Sequence, residues 1–270
     1  MRSIARSGYL AFGIVAYLAF LSTILYAIGF VGNFWETLGL RGDFWRSIDS
    51  GKSPAGLVEG LLVDGALLGL FAVQHSVMAR QGFKRIWTKL VPPALERSVF
   101  VLAASVCLAV LYWQWRPIGT TPIWDVSGSS LAVLLLGISL FGWALLVVAT
   151  FMIDHFDLFG LRQAFSGFRA RTYQPLPFRT PGLYRAVRHP IYLGFLIAFW
   201  ATPLMTAGHL VFSLATTFYI LLGIKLEERD LLNEHGDVYR DYRKQVRMLL
   251  PLPKSSSADA ASEVAAPSHR

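Results

Sequence analysis

Between Gly182 and Tyr242 the chain gathers the residue types from which a site for a charged small molecule could be built. Tyr184, Arg188, His189, Pro190, Ile191 and Tyr192 precede a long uncharged stretch, Glu227 and Glu228 follow it, and Tyr239 and Tyr242 lie just beyond. Guanidinium and carboxylate groups hold a zwitterion through charge-assisted hydrogen bonds, and tyrosine faces attract a cation. Taken singly, each residue has a plainer use: Arg185 and Arg188 as topology charges, the tyrosines as interfacial belt residues, Pro190 as the first residue of a helix. Pro190 to Ile224 carries no charge. As one helix it would reach about 50 Å, well beyond a hydrocarbon core of about 30 Å. Pro203 and Gly208 mark a turn, so a helical hairpin with its tip near Ala207 is expected. A hairpin returns both polar clusters to the same side.

Two further groups could move a proton. Asp154, His155 and Asp157 lie just past an apolar run, and a histidine oriented by a carboxylate is a candidate general base. An interfacial anchor is the competing use. His75, in Gln74-His75-Ser76, sits inside another apolar run, where an ionisable group is either functional or a packing residue bonded to a neighbouring helix. Asp64, His75 and Arg97 could form an internal polar network, while Glu96-Arg97 is better read as a plain surface pair.

The elements that must position these groups are membrane helices. The chain is 54% hydrophobic and only 16% charged, with mean hydropathy +0.47, too apolar for a soluble domain of 270 residues. Spans are expected near Tyr9–Val31, Leu57–Met78, Ser98–Trp115 and Ser130–Met152, followed by the hairpin. The first is no signal peptide, because Ser7 to Trp35 is charge-free over spanning length. The net charge of +8 does not point to nucleic acid, since Lys and Arg fall between apolar runs. The links at 79–97 and 153–189 are rich in basic residues, whereas 116–129 and the hairpin tip are poor. That asymmetry puts both termini and both rich links in the cytoplasm. Trp35, Trp45, Trp113, Trp115 and Trp124 suit an aromatic belt. Past Lys225, apolar residues recur at helical spacing among charges, which predicts an amphipathic helix broken at Gly236. From Pro251 a Ser, Ala and Pro tail has little to bury and should be disordered. Three regions result: four spans over 1–152, a core over 153–250 and the tail 251–270.

The single cysteine, Cys107, allows neither a disulfide framework nor a thiolate cluster, and no metal site is expected. GxGxxG, Walker and HExxH patterns are missing, and with them the soluble dinucleotide, nucleotide and zinc chemistries.

RHPIYLG at 188–194, EERDLL at 227–232 after one hairpin, G-x-x-Y-x-x-Y at 236–242 and Leu250-Pro251 together resemble the membrane methyltransferases typified by isoprenylcysteine carboxyl methyltransferase and the phospholipid N-methyltransferases. VQHSVMAR at 73–80, VPPALERS at 91–98, YWQWRPI at 112–118 and DHFDLFGLRQ at 154–163 extend the likeness over nearly the full length, toward bacterial members of that group acting on small thiols. The resemblance implies an all-α bundle of about six spans, the last two a tight hairpin, with a cytoplasmic cofactor-binding carboxyl-terminal region. It implies S-adenosylmethionine as cofactor, in contact with Leu176, Pro177, Phe178, Arg179, Tyr184, Arg188, His189, Pro190, Ile191, Tyr192, Glu227 and Glu228. It further implies methanethiol as a small volatile thiol substrate, dimethyl sulfide as product and the bacterial inner membrane as location. His155, Asp154 and His75 are then the candidates for taking the thiol proton. The chain departs from the carboxyl methyltransferases in LPFR at 176–179 and near Gly223, where the resemblance places their substrate-side arginine, so neither prenyl nor carboxylate recognition carries over. Two other readings stand beside this one: a haem-binding membrane protein or isomerase of the NnrU-like kind, with His75 and His155 or His189 as axial ligands, and phospholipid N-methylation. Nothing in the sequence indicates an oligomeric state.

Overall fold

A computed structural model describes residues 2–40, 42–50, 54–119 and 121–251; the tail expected to be disordered lies, from residue 252, outside the described residues. Among the described residues, five helices are long and apolar enough to cross a bilayer: α1 (Arg2–Gly32), α3 (Leu57–Ala79), α5 (Pro93–Gln114), α6 (Ser130–Ile153) and α10 (Ala207–His235). The shorter helices are α2 (Phe34–Thr37), α4 (Gln81–Trp87), α7 (His155–Leu158), α8 (Leu161–Phe168), α9 (Pro190–Trp200) and α11 (Asp237–Gln245). The strands β1 (Trp124–Asp125) and β2 (Leu204–Met205) form one antiparallel pair. The chain is an all-helical, multi-pass membrane protein, and its four leading spans fall where hydropathy puts them.

The hairpin is unequal. α9 has 11 residues, about 16 Å, roughly half the hydrocarbon core. Proline at Pro203 stops the helix, and the turn after Trp200 is tied to the 116–129 link through the β1–β2 pair and a 3.1 Å bond from Trp124 Nε1 to the Thr202 carbonyl. α10 restarts at Thr206, whose side chain caps it by accepting the His209 N–H at 3.1 Å. It then continues through Lys225 to His235, so the expected amphipathic helix is in part a prolongation of the last span. The break falls at Gly236, whose φ of 55° is a left-handed conformation that glycine adopts without a Cβ penalty.

α9 lies on α6 along a seam made possible by two glycines. A Cβ on Gly194 would stand 2.7 Å from the Gly142 carbonyl oxygen, and one on Gly142 would stand 2.7 Å from the Gly194 oxygen. Ser139 Oγ donates to the Ala198 carbonyl at 3.0 Å across the same contact. Phe30, Tyr112, Trp115, Trp143, Phe199 and Phe212 extend this seam into one aromatic core between α1, α5, α6, α9 and α10.

Three sequence expectations are corrected here. Trp115 is not a belt residue: it is buried, and its Nε1 donates to the Ile48 carbonyl at 3.0 Å, a partner that lets the indole enter the core. Asp64, His75 and Arg97 do not form one network. Asp64 accepts the Arg116 backbone N–H at 2.9 Å, about three helical turns from His75. Arg97 donates to the Leu158 carbonyl at 2.7 Å and lies over the Phe100 ring. The surface-pair reading of Glu96-Arg97 fails as well, because Glu96 faces Lys84 at 3.9 Å.

Candidate active site

The ends of the hairpin meet. Arg188, just before α9, donates from Nε to Glu228 Oε1 at 2.7 Å, His189 Nε2 stands 3.2 Å from the same oxygen, and Arg243 Nε approaches Oε2 at 3.3 Å. Backbone bonds reinforce the junction: the Arg188 N–H donates to the Arg247 carbonyl at 2.9 Å and the His189 N–H to the Met248 carbonyl at 3.2 Å. α9, α10 and the segment after α11 are thereby fastened together at the basic end of the molecule. Glu227, one residue earlier on α10, turns the other way; it accepts the Tyr192 hydroxyl at 2.9 Å and stands 3.9 Å from His189 Nδ1.

Beside this fastener lies a cavity of about 310 Å³, walled by the 173–180 segment on one side and by α10 and α11 on the other. That volume is at the lower end of the range for small-molecule sites, about 300–1,000 Å³. Phe178 forms an aromatic box with His235, Tyr239 and Tyr242, with ring centroids 5.0, 5.7 and 5.7 Å away. The Tyr242 hydroxyl donates to the Tyr184 carbonyl at 2.6 Å, tying the box to the turn before α9. Tyr239 Oη is buried and unpartnered in the wall. A buried hydroxyl without a partner is costly, so this atom calls for a polar group of a ligand. Burial pushes the phenols of Tyr184 and Tyr239 up and that of Tyr242 up to about 12, so all three are neutral donors at physiological pH.

The 173–180 segment is anchored at Asp157. The Tyr173 hydroxyl donates to both Asp157 oxygens, at 2.9 and 3.1 Å, and burial with this bond raises it to about 12. The Arg162 guanidinium lies over the Tyr173 ring. Arg179 donates from Nη2 to the Ile153 carbonyl, which brings a cation and the Asp157 carboxylate to the same end of the cavity.

The predicted residues separate accordingly. Leu176, Pro177, Phe178, Arg179, Tyr184, Arg188, His189 and Glu227 line the cavity. Tyr192 reaches it through Glu227, Pro190 starts α9 as a buried first-turn residue, and Ile191 packs on the core. Glu228 faces away from the cavity, both oxygens taken by Arg188, His189 and Arg243. Asp154 caps α7, accepting the Asp157 N–H at 3.0 Å. His155 is buried outside the cavity, stacked on Phe151 at 4.2 Å. Its Nε2 meets the Tyr17 hydroxyl at 2.9 Å and its Nδ1 the Thr150 hydroxyl at 2.8 Å, so the expected carboxylate partner is absent among its contacts. Burial lowers its pKa below the ordinary histidine value, against a weaker opposing pull from Asp154. His75 lies between Phe71 and Phe100, with Nδ1 buried and unpartnered. Sequence reasoning missed Asp157 as the member of its cluster that reaches the cavity, along with Tyr173, Leu231 and His235. The last two follow Glu227 at four-residue steps, the signal that would have placed them on its face.

The fold is a multi-span helical membrane bundle whose polar cavity sits where a helical hairpin closes on itself, and residues 132–237 match the phospholipid methyltransferase family model. The match runs from α6 to the first residue of α11 and takes in most of the cavity lining, with Tyr239 and Tyr242 just beyond it. Over almost the whole chain, the sequence is 54% identical to methanethiol S-methyltransferase 2 of Bradyrhizobium diazoefficiens, with 92% of this chain and 91% of that protein covered. It is 52% identical to the methanethiol S-methyltransferase of Mycobacterium tuberculosis (90% and 95% covered) and 47% identical to that of Crocosphaera subtropica (92% and 93% covered). The chain belongs to the methanethiol S-methyltransferase family. No solved structure matches it.

Proposed function

We propose that this protein transfers the methyl group of S-adenosylmethionine to methanethiol, giving dimethyl sulfide, at the cytoplasmic face of the bacterial inner membrane. In this reading residues 153–250 carry the chemistry, residues 1–152 supply a four-span scaffold, and both termini are cytoplasmic. The observation that carries it is the composition of one cavity: an aromatic box with an unpartnered phenol, a cation and a carboxylate at one end, and a second carboxylate at the other. That set suits a molecule with an adenine, an amino-acid zwitterion and a cationic sulfur. Similarity to thiol methyltransferases over nine tenths of the chain supports the acceptor.

When bound, S-adenosylmethionine supplies an electrophilic methyl group on a sulfonium. Phe178, His235, Tyr239 and Tyr242 would hold the adenine by ring contact, and Tyr239 Oη would gain the partner it lacks. Arg179 would pair with the amino-acid carboxylate, and Asp157, whose oxygens can accept further bonds beside those from Tyr173, with its ammonium. Arg188 is left out of this role, because Glu228 and the backbone carbonyls of Arg243 and Val246 occupy its guanidinium. Glu227 lies in the cavity wall on the side where the hairpin ends meet, and its carboxylate would be available to the acceptor thiol. A small thiol is mostly protonated at neutral pH. Glu227, about half exposed and bonded by Tyr192, takes the thiol proton and passes it to water. His155 acts as a positioning residue that fixes the α6–α7 corner from which Asp157 projects. The haem reading loses support, since both nitrogens of His155 and of His189 are already engaged by hydroxyls and carboxylates.

The test is direct. Purified protein incubated with S-adenosylmethionine and methanethiol should release dimethyl sulfide into the headspace, detected by gas chromatography. No thioether from any small thiol would remove the proposal.

A further inference from the structure

The structure assigns a second binding site to the opposite face of α10: a pocket for the phosphate head group of an anionic phospholipid. It lies apart from the methyl-donor cavity and does not depend on the methyltransferase reading. Glu227, Leu231 and His235 line that cavity from one face of α10. Lys225, Glu228, Arg229, Leu232 and Asn233 turn toward the other face, and with Arg243 of α11 they wall a hollow of about 230 Å³. Small-molecule sites usually begin near 300 Å³, so this volume suits a compact head group whose acyl chains stay outside in the bilayer.

Three cations face the hollow against one carboxylate, and that carboxylate is already spent. Glu228 pairs with Arg188 at 2.7 Å, His189 at 3.2 Å and Arg243 at 3.3 Å. Among the described residues, Arg80, Lys84, Arg240 and Lys244 each have a carboxylate within 4.0 Å, whereas Lys225 and Arg229 have none. Two like charges four residues apart on a helix repel, so an anion set between them removes a standing cost. Their depth says which anion. Phe218 and Leu222, on the stripe that leads to Arg229, are 71% and 43% exposed and face lipid. Lys225 lies about 4.5 Å and Arg229 about 10 Å past Leu222 along the axis. The head-group layer is about 5–8 Å thick on each side of the hydrocarbon core, and long basic side chains bend to place their charges in it. A phosphate there can take the Arg229 fork and the Lys225 ammonium together. Because Arg243 belongs to both the hollow and the fastener, the bound lipid ties α10 to α11 from the side opposite the cavity. It thereby steadies the Gly236 corner beyond which Tyr239 and Tyr242 stand.

The experiment uses the full chain in detergent, with phosphatidylglycerol, phosphatidylcholine or inorganic phosphate added at equal concentration. Thermal unfolding reads stabilisation by a bound ligand, and native mass spectrometry counts the lipid retained. Phosphatidylglycerol should raise the wild-type melting temperature several degrees above phosphatidylcholine. Lys225→Gln with Arg229→Gln should melt like wild type in phosphatidylcholine, lose most of that rise, and retain several-fold less phosphatidylglycerol. Arg240→Gln with Lys244→Gln makes the same change in charge on α11 outside the hollow, and should keep the full rise. If the first pair does not fold, Lys225→Gln and Arg229→Gln alone decide, each losing part of the rise. Equal losses in both pairs would show that net charge alone attracts the lipid and would overturn the pocket. So would a wild type that does not distinguish the two lipids. An equal rise with inorganic phosphate would overturn the lipid as its occupant.

Discussion

Glu228→Ala would remove the carboxylate that three cations and near-cations share. Arg188 Nε lies 2.7 Å, His189 Nε2 3.2 Å and Arg243 Nε 3.3 Å from its oxygens, and the Arg188 and Glu228 side chains are only 8% and 10% exposed. Removing one partner of a buried ion pair leaves an uncompensated charge and costs about 3–5 kcal/mol, against a whole-protein stability of about 5–15 kcal/mol. Arg243 is 41% exposed and regains water, so the loss comes chiefly from Arg188. Arg188→Met combined with Glu228→Leu removes the stranded charge and should recover much of the stability, because apolar replacements of buried pairs are often neutral. Glu227→Gln is the contrast: its neighbouring carboxylate is 45% exposed, and a surface change of this kind stays within about 0.5 kcal/mol. Thermal unfolding in detergent, followed by tryptophan fluorescence, ranks the variants. Glu228→Ala should melt far below wild type, the double variant well above Glu228→Ala, and Glu227→Gln beside wild type while losing turnover. A Glu228→Ala protein that melts like wild type, or a double variant no better than the single, would refute the fastener.

His155 is kept neutral by burial, with its pKa below the unfolded value, so the unfolded chain binds its proton first and stability is lost as pH falls below about 6.5. His155→Phe should be less stable at pH 7, having lost the Tyr17 and Thr150 bonds, but its melting temperature should fall less between pH 7 and pH 5; equal slopes would contradict this. Gly194→Val should cost at least the 1–3 kcal/mol typical of overpacking, since its Cβ would sit 2.7 Å from the Gly142 oxygen and 2.8 Å from the Leu146 nitrogen; normal stability would mean that α6 and α9 can separate freely.

Much of this arrangement could be read from the chain because the bilayer imposes one dominant rule. Four spans and the existence of a hairpin follow from apolar run lengths, and the pairing of 188–192 with 227–228 follows from the hairpin alone. What hydropathy does not encode is where a helix stops for lack of partners. α9 reads as a full span but ends at Trp200, because Pro203 and the β1–β2 tie set the turn. Residue type also fails to say which of two adjacent carboxylates faces a cavity. Glu227 and Glu228 differ by about 100° around α10, and that rotation makes one a candidate for chemistry and the other a fastener. His155 misled for the same reason: its sequence neighbours are carboxylates, while its spatial neighbours are Tyr17 and Thr150.

The central claim is that one cavity, closed by the 173–180 segment and the two ends of the hairpin, receives the methyl donor. Solving the structure with S-adenosylhomocysteine tests it most directly. The adenine should lie on Phe178 within reach of Tyr239 Oη, the amino-acid end between Arg179 and Asp157, and the sulfur toward Glu227. Density for the molecule in another part of the bundle, or a bound form in which His189 and Glu227 no longer face each other, would contradict it.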